Sequence, residues 1–440
     1  MKLDLDVVGH RKNNFSIINI VTMKEYTILI LIVYIFVAAL RYGLEYLKIS
    51  YLKRYGNVVP AEFDGSIDQE LLKKVNDYTM ETTIWGIFTS VFNDILILLF
   101  FFGGILNLYN TWITSLHLSF LSTGILFFLI LIYADMFLSI PFSLYQTFRI
   151  ENKYGFNTMT LKLWFKDFAK SLLISTILLS LVVAIALLII QKSPLHWWFW
   201  VWLFFFLFSI FLMYISPYVI EPLFNKFSPI DDNELIKGIE GLTDKVGIKI
   251  SKILKMDASK RTKHTNAYFT GIGKVKRVVL YDTLLQSLNK AEILAVLGHE
   301  LGHWKKKHVL KQMFFIEIFA LIVLYVSFKL IQGNVLLLLF NIQGDSLFAK
   351  IVILFLPGTI VSFFFTPLFS FLSRRHEKEA DTFACNLIGD KRSLIDALVK
   401  LSKDNLSNLH PHPVYSAFYY SHPSVTERIN YINSKNAFAK

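Results

Sequence analysis

The chain has 440 residues, 54% of them hydrophobic, with 41 phenylalanines, a mean hydropathy of +0.49 and a net charge of +12. That apolar share and the long charge-poor runs exclude an ordinary soluble domain and identify a polytopic membrane protein. The positive balance is read as juxtamembrane Lys and Arg facing an anionic leaflet, not as a nucleic-acid surface, and the single cysteine, Cys385, excludes an intrachain disulfide framework and a cysteine-rich metal site.

The first 25 residues mix charges and lack a compact apolar core followed by a small-residue cleavage site, so no cleavable signal is expected. Seven segments long enough to cross a bilayer follow, near 26–47, 84–107, 118–142, 170–191, 197–219, 309–331 and 349–372. Loops near 48–83, 143–169 and 220–308, and the tail from 373, carry most of the Lys and Arg. Those near 108–117, 192–196 and 332–348 carry almost none. This alternation places the three large loops and the carboxyl end in the cytoplasm and the amino end outside. Arg11, Lys12 and Lys24 weigh weakly against it. Asp94, Asp135 and Glu317 fall inside spans, where each must face a partner or water. Four units are expected: 1–220 with the first five spans, 221–308, 309–372 with spans six and seven, and 373–440. The 221–308 unit mixes an amphipathic helix near 232–246 with β-prone stretches such as Lys276 to Tyr281, and no internal repeat is visible.

His299-Glu300-Leu301-Gly302-His303 closes that unit. It is H-E-x-x-H. On a helix, residues i and i+4 lie one turn plus about 40° apart, so both imidazoles can grip one metal ion while Glu300 reaches a water beside it. Asn289 can cap this helix and Glu292 can complete a capping box. The competing reading is a helix face with two ordinary histidines. A catalytic zinc takes three protein ligands and keeps one position open. The nearest acidic cluster on the correct side of the membrane follows span seven, in Ser373-Arg374-Arg375-His376-Glu377-Lys378-Glu379-Ala380-Asp381. If that stretch is helical, Glu377 and Asp381 share a face and Glu379 points away. Glu377 on the metal, with Asp381 fixing the tautomer of a ligand imidazole, is one reading. A solvated acidic patch is the other, and spacing alone leaves both open.

These two segments resemble those of the integral-membrane zinc CAAX prenyl proteases. So do Phe148 to Asn157 after span three, Pro222-Leu223-Phe224-Asn225-Lys226-Phe227 after span five, Asn266 to Gly271, Val279 to Leu285, and Tyr420-Ser421-His422-Pro423 with Glu427-Arg428. The likeness runs from about span two to near the carboxyl end. One departure is Glu379, where relatives usually have glutamine. The resemblance implies an all-α polytopic fold in which seven helices form a barrel around a large water-filled chamber, with a cytosolic zinc metalloprotease domain. It implies His299, His303 and Glu377 as ligands of one Zn²⁺ and Glu300 as general base. Asn266, His422 and Arg428 would hold the substrate or its transition state, His422 as the donor to the developing oxyanion. Without the resemblance, His422 reads as a surface histidine before a proline and Asn266 as a turn residue. The implied partners are a prenylated protein or peptide and the lipid bilayer, with no nucleic acid. The implied reaction removes three carboxyl-terminal residues, and some relatives cut a second, more amino-terminal position. In a eukaryote the implied location is the endoplasmic reticulum membrane.

His264, His308, His376, His410 and His412 read as solvated or structural, and Lys305, Lys306 and Lys307 as a membrane boundary. Site-2 proteases place H-E-x-x-H within a span, whereas here it precedes one. Bacterial heat-shock membrane proteases share both metal segments but have fewer spans. A transporter with a structural metal would be supported by inverted repeats, which are not found. A catalytically dead scaffold is disfavoured because every expected catalytic position is filled.

Overall fold

The computed structural model describes the backbone of residues 6–271 and 275–434 and, Val275 apart, the side chains from Met23 onward. Arg11 and Lys12, weighed above for sidedness, lie outside the described side chains.

Charge-poor apolar runs cannot leave backbone polar groups unpaired in lipid, so they close into helices. Among the described residues, seven helices are long and apolar enough to cross a membrane. Five come first: α1 (Asp6–Tyr55), α2 (Gln69–Phe102), α3 (Phe120–Tyr145), α4 (Leu161–Lys192) and α5 (Trp197–Ile215). In six of the seven spans at most 11% of the most apolar window is buried by protein, against 39% in the seventh, so lipid or a cavity must cover the rest. Span two was expected to run to 107. It stops at Phe102, because Gly103 and a left-handed Gly104 turn the chain into a separate helix, Ile105–Thr114.

Residues 227–305 build a small α/β layer. The strands are β1 (Phe227–Pro229), β2 (Lys249–Met256), β3 (Ala267–Thr270) and β4 (Val275–Tyr281). They lie in the order β1-β2-β4-β3, with β2 and β4 parallel and the two outer pairs antiparallel. Val278 and Leu280 of β4 are fully buried against α6 (Asn233–Val246) and α7 (Lys290–Lys305). Asp232 caps α6 by accepting from the Leu235 amide. Asn289 and Glu292 form the expected capping box on α7, and Lys400 pairs with Glu292 at 2.6 Å.

After α7 the chain turns through Lys307, in left-handed conformation at φ 56°, straight into span six, α8 (His308–Ile331). Span seven belongs to α9 (Leu347–Ile388), which runs unbroken past residue 372 into the acidic cluster. Then come α10 (Lys391–Asp404), a short helix Pro413–Tyr419 and α11 (Val425–Ser434). Among the described residues, the three largest of five apolar cores hold the assembly. One lies among the spans around Phe127, Leu187 and Phe348, one joins α2, α7, α9 and α10 around Ile150, Ala295 and Cys385, and one lies between the sheet and α7.

Candidate metal centre

The two predicted metal segments meet because α7 and α9 pack at unusually close range. A Cβ on Gly302 would stand 2.9 Å from Ala380 Cα and 3.0 Å from Ala380 O, so only glycine lets the helices approach this closely. Gly298 similarly faces Ala384 and Ile388. The contact lays the carboxyl half of α9 against the His299–His303 face.

His299 Nε2 and His303 Nε2 lie 3.1 Å apart. Glu377 Oε2 is 3.3 Å from the first and Oε1 is 3.1 Å from the second. One ligand atom from each of the three lies within 4.8 Å of the others. Glu377 is 2% exposed. Its Oε2 receives no well-directed hydrogen bond, although His422 Nδ1 is 2.8 Å away. Converging nitrogen lone pairs and a buried, unsatisfied carboxylate oxygen repel one another unless a cation sits among them. The field agrees: burial and the Arg428 charge push the His299 pKa down, yet its contacts with Asp381 and Glu377 win and raise it to about 9. Two imidazoles and one carboxylate form a catalytic zinc donor set, and the residues present fit that ion.

Each ligand histidine is held from behind. His299 Nδ1 donates to Asp381 Oδ1 at 2.7 Å, which leaves Nε2 as the lone pair facing the metal position. Arg428 grips Asp381 with two bonds, Nε to Oδ2 at 2.9 Å and a terminal amine to Oδ1 at 2.6 Å. His303 is held by a longer chain that the sequence did not reveal. Its Nδ1 lies 3.1 Å from His308 Nδ1, and His308 Nε2 lies 3.2 Å from Glu379 Oε2. His376 stacks on His308 with centroids 4.1 Å apart. One protonation pattern satisfies the chain: His303 Nδ1–H donates to His308, and His308 Nε2–H donates to Glu379. Glu379 was expected to point away from the metal. It faces the His303 side because the turn at Lys307 folds His308 back over that ligand. The left-handed residue is the last of the three lysines, and a lysine gives no sequence signal for such a turn.

The remaining expected residues divide. Glu300 is half-buried and, among the described residues, its carboxylate has neither hydrogen bond nor ion pair. His422 is 62% exposed, with its Nδ1 2.8 Å from Glu377 Oε2. It lies in the bend before α11, whose start is fixed by Ser424 and Glu427 in a reciprocal cap. Arg374 anchors that segment by donating to the carbonyls of Ser416 and Tyr420. The Arg428 guanidinium lies on Asp381, not on an open substrate surface. Among the described residues, Asn266 has no hydrogen bond to the trio. It precedes edge strand β3, which lies along α7, and its Oδ1 accepts from the Ala267 amide. Inside the spans, Asp94 is satisfied by Tyr34, Arg41 and Tyr42. Among the described residues, the Asp135 and Glu317 carboxylates have no partner.

This fold and donor set define a multi-pass membrane zinc metalloprotease. Residues 48–226 match the model of the CAAX prenyl protease N-terminal region with five membrane helices, and residues 229–436 match peptidase family M48. The chain is 33% identical to CAAX prenyl protease 1 of Saccharomyces cerevisiae, covering 89% of this chain and 91% of the yeast protein. It is 35% identical to the Dictyostelium discoideum homologue, covering 87% and 91%. The crystal structure of S. mikatae Ste24p superposes with a TM-score of 0.84 at 31% identity, over 92% of this chain and 98% of that one. The chain belongs to the CAAX prenyl protease family of M48 peptidases.

Proposed function

We propose that this protein cleaves the three carboxyl-terminal residues from proteins that end in a prenylated cysteine followed by a tripeptide. The observation that carries the reading is the trio of His299, His303 and Glu377 beside an unpaired Glu300, in a chain similar over nearly its whole length to CAAX prenyl proteases. His299, His303 and Glu377 hold Zn²⁺, which when bound supplies Lewis-acid polarisation of water and of the scissile carbonyl. Glu300 accepts the proton of the attacking water and returns it to the leaving amine nitrogen. His422, on its exposed segment, donates to the carbonyl oxygen as negative charge develops, a contribution of about 3–4 kcal/mol for such donors. Asn266 offers its amide to the substrate backbone. Asp381 and Arg428 fix His299, and His308 and Glu379 fix His303.

The unpaired Asp135 and Glu317 support a hydrated chamber among the spans, since a carboxylate facing lipid is costly. The Lys- and Arg-rich side, which carries the metal centre, is assigned to the cytosol, and in a eukaryotic cell the membrane is that of the endoplasmic reticulum. The prenyl chain partitions into the bilayer and brings the tail to the enzyme.

The test is cleavage of a farnesylated carboxyl-terminal peptide by wild type and by Glu300→Gln, with zinc measured in both. The variant should keep its zinc and lose turnover by about 10²–10⁴. Turnover persisting in Glu300→Gln would overturn the base assignment. Equal cleavage of unprenylated, unrelated peptides would replace the substrate reading with general membrane-protein quality control.

A further inference from the structure

A cavity of about 610 Å³ opens where the end of span five meets the sheet, and it shares no residue with the metal centre. Three cations line it, Lys226, Lys252 and Arg277, with no carboxylate among its walls. Lys252 and Arg277 are register partners on the parallel strands β2 and β4, so two like charges stand side by side. Such pairing is destabilising unless something offsets it. Among the described residues none of the three has an ion-pair partner, and Arg277 Nε is buried without an acceptor. A general excess of cations does not explain this. Just outside the cavity, Arg261 is neutralised by Asp167 at 2.8 Å, and Lys170 lies 4.0 Å from the same carboxylate.

Strand alternation sets the direction of the cavity. Lys276 lies over Trp304 of the metal helix, so its neighbour Arg277 emerges on the other sheet face. There its guanidinium covers the Tyr218 ring at 4.7 Å and donates to the Pro217 carbonyl, both in the π-helical turn Ser216–Ile220 that continues α5. Tyr218, Pro222 and Phe227 add an apolar wall continuous with the span.

We propose that this cavity binds the phosphate of an anionic phospholipid from the leaflet on the metal-centre side, with the acyl chains following the surface of α5. Arg277 and Lys252 clasp the phosphate oxygens, Lys226 adds charge, and the bound anion removes the repulsion between the paired cations. The continuous apolar wall favours a lipid over a free phosphate ion.

The experiment uses the full-length protein in detergent, titrated with dioleoylphosphatidylglycerol or dioleoylphosphatidylcholine and read by native mass spectrometry. Wild type should retain one phosphatidylglycerol in preference to phosphatidylcholine. Lys252→Gln/Arg277→Gln should lower that preference by roughly 5-fold per cation, about 25-fold for the pair. Because Arg277→Gln can loosen the junction, Lys226→Gln/Lys252→Gln provides a second variant with the arginine intact, and zinc content reports folding in both. Lys249→Gln, an exposed lysine of β2 outside the cavity, should change nothing. Equal retention of the two lipids, or a preference that survives both double variants, overturns the proposal. So does tight binding of inorganic phosphate without lipid selectivity. A raised KM for a substrate peptide ending in a free carboxylate, but not for its amide, would reassign the cavity to the substrate's tail.

Discussion

The two ligand histidines sit four residues apart on one helix, yet they are secured in opposite ways. The His299 arm is short, charged and sealed: Asp381 is fully buried and the Arg428 side chain is 12% exposed. The His303 arm is longer and passes through a second imidazole, ending on Glu379 with a third of its side chain open to solvent. A sealed ion pair fixes geometry strongly and tolerates no missing member, because the surviving charge is stranded in a low dielectric. An arm whose end reaches water can replace a lost group with solvent. The metal therefore rests on one rigid support and one adaptable one.

The largest expected effect comes from breaking the sealed arm. Arg428→Gln strands the Asp381 charge and should cost about 3–5 kcal/mol of stability. Zinc affinity should fall towards the 100-fold end of the range of about 10–100-fold known for groups behind metal ligands. Chelator competition and thermal melting measure both, and an unchanged melt with normal zinc retention would refute the sealed-arm picture. Next, Gly302→Ala drives a Cβ into the Ala380 backbone and should cost about 1–3 kcal/mol. It should weaken both arms together, since it separates α7 from α9. Loss of stability without loss of zinc would show that the close approach does not set the ligand geometry.

The adaptable arm should yield less. His308→Gln is expected to weaken zinc by about 10-fold, the low end of the same range, and Glu379→Gln by less. A His308→Gln defect matching that of Arg428→Gln would erase the contrast between the arms. The smallest effect belongs to a histidine–carboxylate contact away from the metal. His264 lies 3.4 Å from Glu151, stacks on Phe156 and meets Asn405. The Glu151 contact raises its pKa above 6.5. Because the folded value is the higher one, this stabilisation is complete below pH 6.5 and fades as pH rises through the folded pKa. The gap in melting temperature between wild type and His264→Gln should narrow from pH 6 to pH 8, and a constant gap would count against it.

The histidine pair was legible from a short periodicity, whereas the same periodicity left the role of Glu377 and Asp381 open and the resemblance chose it. One helical turn separates His299 from His303, and one turn separates Glu377 from Asp381. The alternation of basic loops put both pairs on one side of the membrane. The capping box at Asn289 and the β4 strand were visible for the same reason. His308 and Glu379 were not, since their meeting depends on a left-handed residue at Lys307 that reverses the chain between α7 and α8. Arg428 was placed at the substrate by the resemblance alone, whereas its guanidinium lies on Asp381 because Ser424 and Glu427 start its helix only after Pro423. The clustering of Lys226, Lys252 and Arg277 depends on strand order and on the irregular register near Lys252, neither of which is written in local pattern.

The continuity of α9 has a mechanical corollary. The same 42-residue helix threads the bilayer and delivers Glu377, and Pro367 interrupts its ladder ten residues earlier. At 1.5 Å per residue the lever from that proline to the ligand is about 15 Å, so a hinge of roughly 4° sweeps the carboxylate through about 1 Å. Misplacement on that scale can cost about 100-fold in rate. The catalytic grip is thus geared to the tilt of a lipid-embedded rod, and a force that leans the rod reaches the zinc without touching it.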